Sequence, residues 1–166
     1  MPDSVLIVGA SVAGVGAANE LRRSGFAGKI SLVDDQVHLP YDRPPLSKVA
    51  LQDETATLQF HEREYYAKTQ IELHLGCAAE SLCVDDRELV LQSGNRLKAD
   101  AIVIATGARA RPFPPHRCHG NVHLIRDLDD ALRLRGLLKP GKHLAVIGAG
   151  FIGSKWRRPL PARVSK

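Results

Sequence analysis

Apolar positions in this chain fall into short blocks separated by glycine, proline and acidic residues. Val5-Leu6-Ile7-Val8 is the first block, a short strand that runs directly into Gly9-Ala10-Ser11-Val12-Ala13-Gly14. Val15 to Ser24 then carries small residues on one side, which predicts a helix closed by Gly25. Lys29-Ile30-Ser31-Leu32-Val33 predicts a second strand, ending at Asp34-Asp35. Strand, glycine turn, helix, strand and acid within about 30 residues make a nucleotide-binding βαβ unit.

The later pattern is more varied. His38 to Pro45 is a proline-rich loop, and Pro45 is placed to open a short helix at Leu46-Ser47-Lys48. Glu62 to Gln70 predicts a helix, and Ile71 to Leu75 alternates as a strand does. Between Ala79 and Leu97, Asp85-Asp86 and Ser93-Gly94-Asn95 separate three strand-like pieces, the turn chemistry of a small antiparallel meander. Ala101 to Ala105 predicts a buried parallel strand ending in Thr106-Gly107. Arg111 to Pro115 reads as a linker and Leu128 to Leu138 as a helix. Leu144 to Ile147 then begins a second strand-and-glycine unit, Gly148-Ala149-Gly150-Phe151-Ile152-Gly153.

Composition narrows the class. With 166 residues, 44% of them hydrophobic and 25% charged, the chain can bury one core and does not have the composition of a disordered segment. Its apolar runs are far shorter than the roughly 20 residues of a membrane span, and no basic signal region opens it, so a cytoplasmic protein with no membrane role is expected. The net charge of +5 equals the five cations Lys155, Arg157, Arg158, Arg163 and Lys166. Basicity therefore belongs to the tail, and a nucleic-acid partner is not expected. Cys77, Cys83 and Cys118 form no CxxC pair and the histidines are scattered, so no metal site is expected.

One glycine fingerprint is weak evidence, but here an acid stands 20 residues beyond Gly14 and a second fingerprint follows. Gly9 permits a tight turn, the small Ser11 and Ala13 let backbone N–H groups approach a pyrophosphate, and Gly14 allows helix and strand to pack closely. Ser11 occupies the usual place of the middle glycine. Asp34 or Asp35 takes the adenosine ribose hydroxyls, and the sequence does not choose between them.

GASVAG, HLPYDRPPLSK, IATGARARPFP, HLIRDLDDA and VIGAGFIG together resemble the N-terminal part of the FAD-dependent ferredoxin and rubredoxin reductases, in the pyridine nucleotide-disulphide oxidoreductase superfamily. The resemblance covers residues 4 to 154. It implies an α/β fold, an FAD/NAD(P)-binding Rossmann-type three-layer sandwich with a small antiparallel β-meander. It also implies that Gly9, Ser11, Val12, Ala13 and Gly14 hold the FAD pyrophosphate, Asp35 the ribose, and Ala79 the adenine through its backbone. By the same likeness Arg43, Lys48 and Arg126 lie around the flavin end, with Lys48 the catalytic residue. Ala105, Thr106 and Gly107 close over the cofactor, and Gly148, Gly150 and Gly153 serve NAD(P)H. Electrons are expected to pass from NAD(P)H through flavin to a ferredoxin or rubredoxin. The redox cysteines of the disulfide reductases and NADH oxidases are missing from the corresponding positions.

The likeness breaks at the end of the second fingerprint. Where the family continues Glu-Val-Ala-Ala, this chain has Lys155-Trp156, and Pro159 and Pro161 end any helix. The expected organisation is an FAD-binding domain over 1–110, a linker and the start of an NAD(P)-binding domain over 111–154, and a non-family basic tail over 155–166 produced by a frameshift. A truncated reductase, inactive alone, is the first expectation. A non-enzymatic nucleotide-binding remnant whose tail meets an acidic partner is the alternative.

Overall fold

The computed structural model describes residues 2–53, 55–111, 121–139, 141–148 and 150–155, the last without the Lys155 side chain. The tail from Trp156, the end of the Arg111–Pro115 linker, Cys118 and Ala149 lie outside the described residues.

The first four elements are β1 (Ser4–Val8), α1 (Val12–Arg23), β2 (Lys29–Val33) and α2 (Val49–Gln52). They are followed by α3 (Arg63–Lys68), β3 (Ile71–His74), β4 (Ala79–Cys83), β5 (Glu88–Leu91), β6 (Arg96–Lys98) and β7 (Ala101–Ile104). Last come α4 (Leu128–Leu137) and α5 (Phe151–Lys155). The strands β3-β2-β1-β7 form a parallel sheet, and β4-β5-β6 form the expected antiparallel meander.

Several sequence-derived boundaries move. The helix α1 starts at Val12 rather than Val15, because its exposed first turn, Val12 and Ala13, carries no apolar period. The strands β3 and β7 each stop one residue short of the predicted Leu75 and Ala105. The predicted strand Leu144–Ile147 has no ladder among the described residues, and its apolar side chains are exposed, Ile147 to 71%. An apolar run becomes a strand only when another strand supplies its hydrogen bonds.

Contacts divide the chain into two compact units. The first contains Met1–Arg43 and Thr57–Arg109; the second gathers Pro44–Ala56 with the described residues from Ala110 onward.

Alternation along the strands gives the first unit its layers. Val5 and Ile7 of β1 and Ile30 and Leu32 of β2 pack with Val15 and Ala18 of α1 and Tyr66 of α3. Leu6 and Val8, one residue out of phase, pack with Val33 and with Leu89 and Leu91 of the meander. The parallel sheet therefore has helices on one face and the meander on the other, the three-layer arrangement that the sequence implied. Tyr66 is 1% exposed, its hydroxyl has no hydrogen-bond partner among the described residues, and burial pushes its phenol up to about 12.

Two side chains fasten the layers. Arg22, at the end of α1, donates from Nε to the Thr69 carbonyl (2.7 Å), from Nη1 to the Phe26 and Gly28 carbonyls (2.6 and 2.8 Å), and from Nη2 to the Gln70 carbonyl (2.8 Å). One planar fork thus ties the end of α1, the approach to β2 and the turn before β3. At the same N-terminal end of the sheet, beside β1 and β7, the Asp100 carboxylate accepts from the Ser4 hydroxyl and from the Asp3 and Ser4 N–H groups, each at 2.9 Å. The Ser4 hydroxyl and then the Asp3 N–H hold that carboxyl below its ordinary range. The strand expected to be buried over 101–105 forms but is not buried: β7 lies at the edge of the parallel sheet and exposes Val103 to 36% and Ile104 to 68%.

In the second unit Pro44–Ser47 forms a 3-10 turn that leads into α2, so the helical opening falls one residue before the predicted Pro45. Arg135 of α4 donates to the Ala50 and Asp53 carbonyls at 3.2 and 3.3 Å, which seats α4 beside α2.

Candidate nucleotide-binding site

The C-terminal ends of β1, β2 and β7 converge, and the conspicuous residues of the first fingerprint lie there. Gly9 has φ +106°, and a Cβ built on it would fall within 2.6 Å of the Ala105 carbonyl carbon, so a side chain is excluded both by conformation and by space. A Cβ on Gly14 would overlap the Gly9 carbonyl oxygen. The helix α1 can lie this close to the turn only because both positions lack side chains.

That closeness shapes the opening of α1. Ser11 is its N-cap, and the Ser11 side chain makes no capping hydrogen bond; the first turn contains no acidic residue. The N–H groups of this turn have no intrahelical acceptors, and the helix dipole adds partial positive charge at the same end. Small side chains, a Gly9 turn and uncapped donors are the features an anionic diphosphate requires.

The other predicted residues of this unit gather nearby. The strand β7 delivers Ala105, whose N–H donates to the Val8 carbonyl at 2.7 Å, and then the exposed Thr106 and Gly107, the latter at φ +68°. Asp34 and Asp35 follow β2, the first buried and the second exposed. The Cys77 N–H donates to the Asp34 carbonyl at 2.8 Å, which brings the turn before Ala79, the exposed first residue of β4, to the end of β2. Arg43 is half-buried, its guanidinium 6.0 Å from the centre of the Tyr41 ring.

Lys48 and Arg126 belong to the second unit. Lys48 is exposed at the N-cap of α2, and its N–H donates to the Pro45 carbonyl at 2.9 Å. Arg126 is half-buried just before α4, where its N–H donates to Asp130 at 3.0 Å and the Asp127 carboxylate caps the helix by accepting from the Asp130 N–H at 2.8 Å.

The second fingerprint repeats the first in miniature. Gly148 has φ +111°, a Cβ on Gly153 would overlap the Gly148 carbonyl oxygen, and the Val146 side chain stands 3.4 Å from that Cβ, just as Ile7 does beside Gly14. Gly150 has open space around it. The turn geometry is therefore set locally, even though Leu144–Ile147 joins no sheet among the described residues.

Sequence reasoning expected backbone N–H groups at the pyrophosphate but missed the Ala10 N–H, which donates to Asp34 at 2.5 Å. A pattern of side chains carries no signal for it.

Comparison with known proteins agrees with this geometry. The signature of the pyridine nucleotide-disulphide oxidoreductases matches residues 3–156. The chain is 43% identical over 155 residues to the ferredoxin–NAD(+) reductase component of the p-cumate 2,3-dioxygenase system of Pseudomonas putida, covering 90% of this chain and 38% of the relative. Among solved structures, the ferredoxin reductase for the CYP199A2 system of Rhodopseudomonas palustris superposes with a TM-score of 0.86 at 40% identity, covering 91% of this chain and 38% of that one. A covalent putidaredoxin reductase–putidaredoxin complex gives 0.85 at 37% identity, with 91% and 38% covered. The chain thus spans about two fifths of the length of these relatives.

Proposed function

Because the chain belongs to the pyridine nucleotide-disulphide oxidoreductase family, we propose that its first unit is the adenosine-diphosphate half of an FAD site and that the chain corresponds to the N-terminal part of an NAD(P)H-dependent ferredoxin or rubredoxin reductase. The observation that carries this reading is the pair of steric exclusions at Gly9 and Gly14, which opens a helix N-terminus to a diphosphate beside the acids that end β2.

FAD, when bound, supplies an isoalloxazine that accepts hydride from NAD(P)H and passes electrons singly to an iron–sulfur protein. The residues of this chain bind and orient. Backbone N–H groups from Ser11 to Gly14 neutralise the pyrophosphate, one of the acids at 34 and 35 takes the ribose hydroxyls, and the backbone around Ala79 takes the adenine. Ala105, Thr106 and Gly107 line the same end of the sheet. Lys48, with Arg43 and Arg126, provides positive charge for the flavin end, and Gly148, Gly150 and Gly153 form the opening turn of the nicotinamide nucleotide site. We place the protein in the cytoplasm; no helix of the described residues is long and apolar enough to cross a membrane.

Among the described residues the apolar edge of β7 is open and Leu144–Ile147 is unpaired, which supports the view that these residues do not turn over alone. The 166-residue chain should reduce ferricyanide with NADH no faster than free FAD does. A chimera that joins residues 1–154 to the remainder of the Pseudomonas putida reductase should hold flavin and turn over. In it, Lys48→Met should lower the rate at least tenfold while flavin stays bound. A chimera that folds yet retains no flavin would contradict the reading.

A further inference from the structure

Two adjacent acids end β2, and the structure uses them differently. Asp34 is 9% exposed. Its Oδ2 accepts from the Ala10 N–H at 2.5 Å and its Oδ1 from the Gln36 N–H at 2.9 Å. Its backbone is equally committed, with the N–H donating to the His74 carbonyl at 3.0 Å and the carbonyl accepting from Cys77 at 2.8 Å. Asp35 is exposed, and its carboxylate accepts from the Gln36 side-chain amide at 3.3 Å.

We propose that Asp34 is a positioning residue that pins the glycine turn to the end of β2 and does not itself bind ribose, which leaves Asp35 the ribose role that the family resemblance implies. Ala10 is 5% exposed, so water is a poor substitute for the carboxylate that its N–H now meets. Ala10 lies between Gly9, which makes the turn, and Ser11, which stands at the N-cap position of α1 without capping it; a bond to Ala10 therefore fixes the direction in which the donors of the first helical turn point. The charged acceptor serves two loops at once, and its burial withholds it from a ligand. This inference rests on the nucleotide reading above, and its test separates the two.

The 166-residue chain and its Asp34→Ala, Asp34→Asn and Asp35→Ala variants would be titrated calorimetrically with ADP and with 2′,3′-dideoxy-ADP. Amide exchange at Ala10 would be followed by NMR without nucleotide. The wild-type chain should prefer ADP about tenfold, the worth of a hydrogen bond to a charged group. Asp35→Ala should erase that preference. Asp34→Ala should weaken both nucleotides about tenfold, keep the preference, and speed Ala10 exchange at least tenfold. Asp34→Asn, with one acceptor for two donors, should fall between and guards against a variant that does not fold. Loss of the preference in Asp34→Ala with retention in Asp35→Ala would overturn the assignment, as would unchanged Ala10 exchange. Faster exchange with unchanged ADP affinity would overturn the positioning role alone. No ADP binding by the wild-type chain would overturn the nucleotide reading, and the positioning role with it.

Discussion

Two glycines in one helix should respond oppositely to the same substitution. A Cβ on Gly14 would overlap the Gly9 carbonyl, whereas one on Gly16, two residues on, meets nothing within 4 Å. Helical propensity favours alanine at both sites by about 1 kcal/mol. At Gly16 that gain stands alone, so Gly16→Ala should stabilise by roughly 0.8 kcal/mol. At Gly14 the obstacle is backbone, which cannot swing aside as a side chain can. The helix must instead lift off β1, loosening Val15 and Ala18 from Ile7, and overpacking of this kind costs about 1–3 kcal/mol or more. After subtraction of the propensity gain, Gly14→Ala should destabilise by about 2 kcal/mol. A gap of about 3 kcal/mol between the two variants corresponds to roughly 10 °C in melting temperature for a domain of this size. Thermal unfolding followed by circular dichroism measures it directly, and nucleotide affinity should fall only in Gly14→Ala. Equal melting temperatures for the two variants would refute the close approach of α1 to the turn.

Further expectations concern the framework. Arg22→Ala should destabilise by about 3 kcal/mol in urea unfolding, and Arg22→Lys should recover less than half of that, since an ammonium cannot serve four carbonyls in a plane. Tyr66 has a folded-state pKa raised to about 12, so its contribution to stability is complete below pH 10 and is lost as pH rises from about 10 to 12. Tyr66→Phe should flatten that slope and leave neutral-pH stability equal or slightly higher, and a tyrosinate titration at 295 nm should lose its latest step. Ile104→Lys, at an open edge where the side chain is 68% exposed, should suppress concentration-dependent association in sedimentation velocity and change stability by less than about 0.5 kcal/mol.

The sequence made legible what depends on neighbours along the chain. The glycine turn, the helix after it, the meander and the acid at the end of β2 all carry local signals, and all of these elements form. It could not decide what depends on partners across space. Leu144–Ile147 has the composition of a strand but no ladder among the described residues. Asp34 and Asp35 are chemically identical and adjacent, and only the fold shows that Asp34 bonds to the glycine turn while Asp35 stays exposed. Arg22 reads as an ordinary cation at a helix end until four carbonyls converge on it. The first turn of α1 carries no periodic signal, because Val12 is 58% exposed and so contributes nothing to an apolar face.

On the function proposed above, this chain recognises the adenosine-diphosphate half of FAD rather than the flavin ring. The most direct measurement is a calorimetric comparison of FAD, ADP and riboflavin binding to the unaltered 166-residue chain. FAD and ADP should bind with dissociation constants within about tenfold of each other, because the glycine turn, the α1 donors and the acid after β2 contact only the part they share. Riboflavin should not bind. Riboflavin binding as tight as that of FAD, or no binding of either FAD or ADP, would contradict the account.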